Sequence, residues 1–185
     1  GAYQNDGNGG SSGQVKVFDY DTSSKSWIQL GSDIYGEAGN DQTGFSVSLS
    51  ANGYRVATGS PYAVSKSQTK GVARVYEFIS GKWIKMGFDI AGSNVGDRCG
   101  YSVALNGEGN VVAVGAPNND GNGSSSGQLR LFKYDLKNTT WVPVGNDIYG
   151  KASDQTGSAV ALSANGSIVV IGESGNDDKG ENAGQ

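Results

Sequence analysis

The chain has 185 residues, a net charge of −4 and a sequence pI of about 4.7. This acidity excludes the basic footprint of a nucleic-acid binder, and no apolar run approaches the roughly 20 residues that cross a bilayer, so no membrane span is predicted in this segment. Histidine is absent, which removes the commonest general base and any Ser-His-Asp or Cys-His site within these residues.

The first part of the chain alternates polar loops with short apolar runs. Gly1–Gly13 is a loop, strands are predicted at Gln14–Tyr20 and Trp27–Leu30, and Gly31–Gly44 is a second polar loop. Period-2 alternation of apolar and polar residues in the run that begins at Phe45 is the signature of a strand.

A hairpin motif then recurs three times, at Thr43–Pro61, Cys99–Pro117 and Thr156–Ser174. Its central turns contain Asn or Gly, which accept the positive φ that a hairpin needs. Pro143 cannot donate to a strand ladder, so its strand is predicted at a sheet edge. The remaining predicted strands are Tyr54–Thr58, Val72–Phe78, Trp83–Met86, Tyr101–Leu105, Asn110–Val114, Gln128–Tyr134, Trp141–Val144, Ala159–Leu162 and Ser167–Ile171.

One period of roughly 57 residues covers the chain, because Gly44, Gly100 and Gly157 align at spacings of 56 and 57 residues. Four strands per period and no helical periodicity predict an all-β fold, with β-propeller blades of four antiparallel strands and about three blade-equivalents of a larger propeller. The expected division is strands 3–4 of a blade at 1–36, complete blades at 44–90 and 100–148, and strands 1–2 plus a loop at 157–185.

Cys99-Gly100 followed by Gly115-Ala116-Pro117 resembles the FG-GAP motif of integrin α-subunit propellers, and the longer pattern is similar to a microbial and algal FG-GAP-like repeat family. The resemblance covers essentially the whole chain. It implies a propeller, commonly of about seven blades, that is extracellular or on the cell surface. Integrin-type repeats carry calcium in the turn between strands 1 and 2, but here those turns hold at most one carboxylate, Glu108, so calcium is not predicted there.

The strongest candidate ligand-binding residues lie in the loop after the Gly-Ala-Pro position. Oxygen side chains with intervening glycines suit calcium or sugar hydroxyls, and the alternative is that Asn, Asp and Gly simply build turns. Calcium in these Asn-Asp-Gly-Asn-Gly loops is the one cofactor considered, and no catalytic residue is predicted. The candidates are Asn5, Asp6, Asn8, Asn119, Asp120, Asn122, Asn176, Asp177 and Asp178, the last three within the variant loop Gly175–Glu181.

Other side chains recur at aligned positions, and repetition in each blade favours a structural role. The two aspartate sets are expected to accept turn N–H groups, and the aligned basic residues are expected to lie along the sheet or to pair with a carboxylate. Cys99 is expected to be a small buried residue. The sets are Asp33, Asp89 and Asp147; Asp41, Asp97 and Asp154; and Lys16, Arg74 and Arg130.

Three functions remain open. The leading hypothesis is a non-enzymatic binding or adhesion module whose loops between strands 2–3 and 4–1 recognise protein or glycan. The second is a structural unit of a larger extracellular complex or filament, and the third is the non-catalytic part of a propeller hydrolase or lyase. A three-blade arc exposes two apolar sheet faces, so further blades of the same chain or other copies are expected as partners.

Overall fold

The computed structural model describes residues 1–178, 180 and 184, and within them every regular element is a β-strand. No helix in this part of the chain is long and apolar enough to cross a membrane. The strands are β1 (Gln14–Val15), β2 (Phe18–Asp21), β3 (Ser26–Gln29), β4 (Ile34–Tyr35), β5 (Ser46–Leu49), β6 (Arg55–Ser60), β7 (Val64–Ser65), β8 (Gln68–Thr69), β9 (Val72–Ile79), β10 (Lys82–Lys85), β11 (Ile90–Ala91), β12 (Ser102–Leu105), β13 (Val111–Ala116), β14 (Gln128–Asp135), β15 (Thr140–Pro143), β16 (Ile148–Tyr149), β17 (Thr156–Leu162) and β18 (Val169–Glu173).

Two complete antiparallel sheets form the centre of the molecule. One has the order β5-β6-β9-β10 and the other β12-β13-β14-β15. We call them the first and second blades. The hairpin β2-β3 precedes them as a half-blade, and the hairpin β17-β18 follows. This arrangement confirms the predicted all-β fold of four-stranded propeller blades.

Neighbouring blades contact each other through their first strands, because β12 lies against both β5 and β17. These first strands are therefore innermost, and β15, which contains Pro143, pairs with β14 and with no other strand among the described residues. The prediction that Pro143 lies in an edge strand is confirmed, and its missing N–H faces no partner strand.

The predicted strand boundaries differ from the structure at three kinds of position. The run Gln14–Tyr20 is interrupted, since Lys16 and Val17 separate β1 from β2. The predicted loop after Ser60 contains the small hairpin β7-β8. Each loop after a fourth strand also returns to pair for two residues with the start of the third strand, as β4, β11 and β16. A two-residue pairing leaves no periodic signal in the sequence.

Apolar side chains fill the space between blades. Ala57 and Val75 of the first blade lie in one buried cluster with Val103, Leu105 and Val112 of the second. Small residues such as Ala57 in the second strand of a blade allow the first strand of the next blade to pack closely. Close packing makes core substitutions costly.

The aligned tryptophans connect successive blades. The indole Nε1 of Trp83 donates a hydrogen bond of 2.9 Å to the Leu30 carbonyl of the half-blade, and Trp141 makes the same 2.9 Å bond to Met86 of the first blade. Trp83 and Trp141 are 9% and 8% exposed, whereas Trp27, against which the described residues place no other blade, is 68% exposed.

This difference gives a matched pair of substitutions. Trp83→Phe removes a buried donor and leaves the Leu30 carbonyl without its partner, so we expect a loss of about 2 kcal/mol in the free energy of unfolding. Trp27→Phe should change it by less than about 0.5 kcal/mol. Urea unfolding followed by circular dichroism measures both, and equal losses would contradict the role of this bond between blades.

Apolar side chains lie open on both outer faces of the arc. Phe18, Trp27 and Ile28 are exposed on the half-blade, and Ile168 and Val170 are 66% and 65% exposed on the β17-β18 hairpin. The predicted exposure of two apolar faces is therefore confirmed. Their cover by further blades or copies stays a prediction.

Candidate functional site

A tight turn introduces the inner strand of each blade. Gln42, Arg98 and Gln155 occupy aligned positions and adopt φ values of 54°, 57° and 56°. Each carbonyl accepts a hydrogen bond from the N–H three residues later, at 3.0 to 3.2 Å. A left-handed conformation of a non-glycine residue costs roughly 1 kcal/mol or more. Its recurrence in three blades fixes the direction in which these side chains leave the chain.

A buried aspartate supports each turn. The Asp41 carboxylate accepts the N–H groups of Glu37 and Ala38, Asp97 accepts that of Asn94 at 2.7 Å, and Asp154 accepts that of Lys151 at 2.7 Å. The predicted structural role of this aspartate set is confirmed, because each carboxylate replaces water as the partner of loop N–H groups.

Aromatic rings continue from these turns across the ends of the inner strands. The ring centroids of Tyr3 and Phe45 lie 5.4 Å apart, and those of Phe45 and Tyr101 lie 4.9 Å apart. The Arg98 guanidinium lies over the Tyr62 ring, 5.4 Å from its centroid. We call the surface formed by Tyr3, Phe45, Tyr62, Arg98 and Tyr101 the inner-end surface.

The inner-end surface joins three successive repeats through aromatic residues that are exposed or half-buried. Rings of this kind offer a large, rigid contact area to a ligand. The other aligned aromatics pair within their own blade hairpins, as Tyr20–Trp27, Phe78–Trp83 and Tyr134–Trp141. This agrees with the expectation that they pack the blades.

Glu173 brings a carboxylate to the third of these turns. The Thr156 hydroxyl donates a 2.6 Å hydrogen bond to Glu173 Oε1, and Ser174 Oγ donates to Gln155 Oε1 at 2.9 Å. In the first blade the same position is Ser60, whose hydroxyl lies 2.7 Å from that of Thr43. Glu173 is half-buried, so this repeat differs from the others by a carboxylate beside the inner-end turn.

Cys99 occupies the threonine position of the second blade. It is fully buried, and its Sγ lies 3.4 Å from the Ile90 carbonyl. Burial raises the pKa of the Cys99 thiol, although the nearby Arg130 guanidinium opposes that shift. The prediction of a small buried cysteine is confirmed, and a neutral thiol is a poor nucleophile.

The predicted ligand-binding residues lie in loops that use their polar atoms internally. In the first loop, Asn5 Oδ1 accepts the Gly7 N–H at 2.8 Å and Asp6 Oδ1 accepts the Ser11 N–H at 2.7 Å. Asn8 Nδ2 donates to the Gly36 carbonyl at 2.8 Å and thereby ties this loop to the next one.

The second loop repeats these contacts at Asn119, Asp120 and Asn122. Their partners are the Gly121 N–H at 2.8 Å, the Ser125 N–H at 2.7 Å and the Gly150 carbonyl at 2.8 Å. Such bonds are typical of Asn and Asp that build turns. Ligand binding by these two loops stays a prediction.

The third loop differs in sequence and contacts. Asn176 Oδ1 accepts the Asp178 N–H at 3.1 Å, and Asp178 pairs with Lys151 at 2.8 Å. Asp177 is exposed, and Lys179 and Glu181 of this loop lie outside the described residues. Across the part of the chain that the structure describes, no three acidic or cysteine side chains form a group that could hold a metal ion, and calcium in the loops stays untested.

The second aspartate set behaves differently from its prediction. Asp33 accepts from Gln14 Nε2 at 2.6 Å, and Asp147 accepts from Gln128 Nε2 at 2.9 Å. These carboxylates therefore bind side chains of the third strand rather than turn N–H groups. The reason is the unpredicted return of the chain as β4 and β16, which brings each carboxylate beside that strand.

In the first blade the same arrangement becomes a buried ion cluster. The Arg74 side chain is 2% exposed and lies 2.9 Å from Asp89, 3.3 Å from Glu37 and 3.5 Å from Asp41. Burial by itself would raise the pKa of Asp89, but the hydrogen bond and charge of Arg74 outweigh it and hold that pKa below its ordinary value. The cluster joins the half-blade to the first blade.

The other two aligned basic residues do not form a buried ion cluster like that of Arg74. Lys16 Nζ lies 3.6 Å from Asp33, whereas Arg130 donates to the Ala91 carbonyl and lies over the Phe132 ring. Of the two expected arrangements, pairing with a carboxylate is found for Lys16 and Arg74. Arg130 instead lies along the sheet over Phe132 and bonds the backbone at Ala91, which precedes the second blade.

The comparisons with known proteins agree with this architecture. The FG-GAP repeat family matches residues 92–132, so the chain contains an FG-GAP-type repeat. No curated protein sequence matches the chain. Among solved structures, the fold is similar to a protein of Bacteroides uniformis assigned as a 6-phosphogluconolactonase, with a TM-score of 0.56 and 14% identity over 87% of this chain and 41% of that one.

Two further structures give the same result. A protein of Bacteroides fragilis with the same assignment has a TM-score of 0.52 and 13% identity over 86% of this chain and 36% of that one. The periplasmic gluconolactonase of Pseudomonas aeruginosa has a TM-score of 0.54 and 16% identity over 91% of this chain and 45% of that one. The chain thus spans less than half the length of each, and at this identity the likeness concerns the fold.

These comparisons correct the leading functional hypothesis. The chain was expected to be a non-enzymatic binding or adhesion module, but the similar structures are assigned as lactone-hydrolysing enzymes. Both the adhesion reading and the expectation of no enzyme are contradicted. The physical reason is that missing histidine excludes only histidine-based chemistry, whereas a carboxylate can also serve as a general base.

Proposed function

We propose that the chain forms part of a propeller hydrolase that opens sugar lactones, with the inner-end surface as its substrate face. The observation that carries this proposal is the placement of Glu173 beside the third inner-strand turn, which aligns with the turns that present Phe45, Arg98 and Tyr101. The fold shared with lactone-hydrolysing proteins supports the choice of reaction. The FG-GAP-like subfamily and an extracellular or cell-surface location belong to the same proposal and rest on the repeat pattern.

The residues supply separate parts of the reaction. The rings of Phe45 and Tyr101 offer an apolar platform for the face of a sugar ring. Glu173 takes a proton from water as that water attacks the lactone carbonyl carbon. The ring C–O bond then breaks, the ring oxygen receives the proton, and the product is the open hydroxy acid.

These parts lie at the same end of the inner strands of adjacent blades. Ser102 Oγ donates a 2.6 Å hydrogen bond to the Gly157 carbonyl, which places the start of β12 against the start of β17. Tyr101 and Thr156 are the residues next to this bond in sequence, and Thr156 holds Glu173. The platform and the carboxylate are therefore neighbours along the inner end.

Lactone opening tests the proposal directly. At neutral pH the product acid releases a proton, so a pH indicator should report opening of δ-gluconolactone and its 6-phosphate faster than in buffer. Glu173→Gln should lower kcat by about 100-fold or more, because the amide cannot accept the proton. Glu108→Gln, in the exposed turn at the opposite end of the second-blade hairpin, should leave the rate unchanged.

Glu173→Ala provides a check on folding, since the aligned residue in the second blade is Ala116. A wild-type rate equal to that in buffer would contradict the proposal, as would full activity of Glu173→Gln.

A further inference from the structure

We infer that Arg98 forms an anion subsite on the inner-end surface, which takes a phosphate or carboxylate group carried by a sugar. The identity of the sugar as a substrate rests on the proposed function, whereas the anion contact rests on the arginine itself. Guanidinium presents a planar fork of donors that matches the oxygens of either anion.

Three of the four arginines of the chain already have polar partners. Arg55 lies 2.7 Å from Glu77, Arg74 lies 2.9 Å from Asp89, and Arg130 donates to the Ala91 carbonyl. Among the described residues, no carboxylate lies within ion-pair distance of Arg98, and no acceptor receives its guanidinium N–H groups. Its described contact is the face of the Tyr62 ring, 5.4 Å from the guanidinium carbon.

The ring contact orients the guanidinium without using its donors. A cation over an aromatic face interacts with the π system, and the N–H groups at the guanidinium edge stay available to a ligand. Arg98 is half-buried, so an anion that binds there displaces less water than one on a fully exposed side chain.

The backbone conformation of Arg98 further restricts where its side chain can lie. Its left-handed φ of 57° and the bond from the Tyr101 N–H to its carbonyl, 3.0 Å, hold the turn in place. The neighbouring Asp97 carboxylate is buried and accepts the Asn94 N–H, which directs it into the loop. The nearest carboxylate in sequence thus already has a partner.

Arg98 also differs from the residues at the same position of the other repeats. The aligned residues are Gln42 and Gln155, and their backbones adopt the same conformation. A glutamine is therefore sufficient to build the turn. The positive charge adds nothing that the turn requires, and in a chain of net charge −4 it places a local cation beside the aromatic rings.

Calorimetric titration at pH 7.5 with glucose 6-phosphate, glucuronate and glucose tests the subsite without any turnover. The wild-type protein should bind at least one of the two anions about 10-fold or more tightly than glucose. A preference for glucose 6-phosphate identifies a phosphate subsite, and a preference for glucuronate identifies a carboxylate subsite.

Arg98→Gln reproduces the residue of both flanking blades, so its fold should be retained, and it should remove the preference for the anion. Arg55→Gln removes one positive charge elsewhere and should keep the preference. Equal binding of all three sugars by the wild-type protein, or an unchanged preference in Arg98→Gln, would overturn the inference. Anion binding without lactone opening would retain the subsite and reject the hydrolase.

Discussion

Gly59→Ala is expected to destabilise the fold by more than about 3 kcal/mol, in the range reached when overpacking cannot relax. A Cβ at Gly59 would lie 1.8 Å from the Gly100 carbonyl oxygen and 2.2 Å from Ser46 Oγ. The first contact is with the backbone of the next blade. Relief of the clash would therefore move β6 of the first blade away from the segment that begins β12 of the second blade, rather than rotate one side chain.

Gly10→Ala is the matched control, because a Cβ there would have no neighbour within 4 Å. It should change the free energy of unfolding by less than about 0.5 kcal/mol. Urea unfolding at pH 7 compares the two variants. Equal stability of Gly59→Ala and Gly10→Ala would contradict the close approach of β6 to the start of the next blade.

The second large effect is expected at the ion cluster. Arg74→Met should cost about 3 to 5 kcal/mol, because it leaves Asp41, Asp89 and Glu37 without their buried cation. Glu37 is about half exposed and contributes less than the two aspartates. Arg55→Met, which breaks the more exposed pair with Glu77, should cost about 1 kcal/mol or less.

The cluster also predicts a pH dependence. Since the pKa of Asp89 is lowered in the folded state, the stability that it contributes is fully present above its unfolded pKa, about 3.9, and is lost as the pH falls through the folded value. Unfolding free energies between pH 7 and pH 3 should therefore fall most steeply below about pH 4. Arg74→Met should flatten that fall, and an identical slope in both proteins would contradict the assignment.

The sequence alone was sufficient for the blades and their order. Two patterns predict the blades: the alternation from Phe45 onward and the recurrence of Gly44, Gly100 and Gly157. Each extends over many residues, so an ambiguous assignment at one residue does not change the predicted fold. The short strands β4, β11 and β16 could not be predicted. Each is two residues long and depends on where a loop lies against the third strand rather than on its own residues.

The inner-end surface was harder to predict because repetition drew attention to other positions. The Asn-Asp-Gly-Asn-Gly loops are the most regular polar segments, and their side chains bond within the loops. Arg98 and Glu173 carry the opposite signal, since Arg98 replaces the glutamine of the aligned positions and Glu173 places a carboxylate where the other blades have Ser60 and Ala116. In a repeat protein such departures mark function better than recurrence does, because the shared residues already build the blade.

The sequence also did not predict the contact between the aromatic rings of the inner-end surface. Tyr3, Phe45 and Tyr101 do not share one aligned position, since Tyr3 follows the end of a second strand whereas the other two precede a first strand. Only the packing of one repeat against the next brings their rings to within 5.4 Å. The contact between these rings depends on the angle between neighbouring blades, and the sequence of a single repeat does not determine that angle.

The decisive measurement is where on the propeller a sugar ligand binds. In ¹H–¹⁵N NMR titrations with glucose 6-phosphate and with glucuronate, the anion that binds more tightly should shift amide signals clustered at Phe45, Arg98, Tyr101 and Glu173, with the loop around Asn119 unaffected. Shifts confined to the Asn119 loop, or no shifts at millimolar ligand, would contradict the inner-end surface as the substrate face.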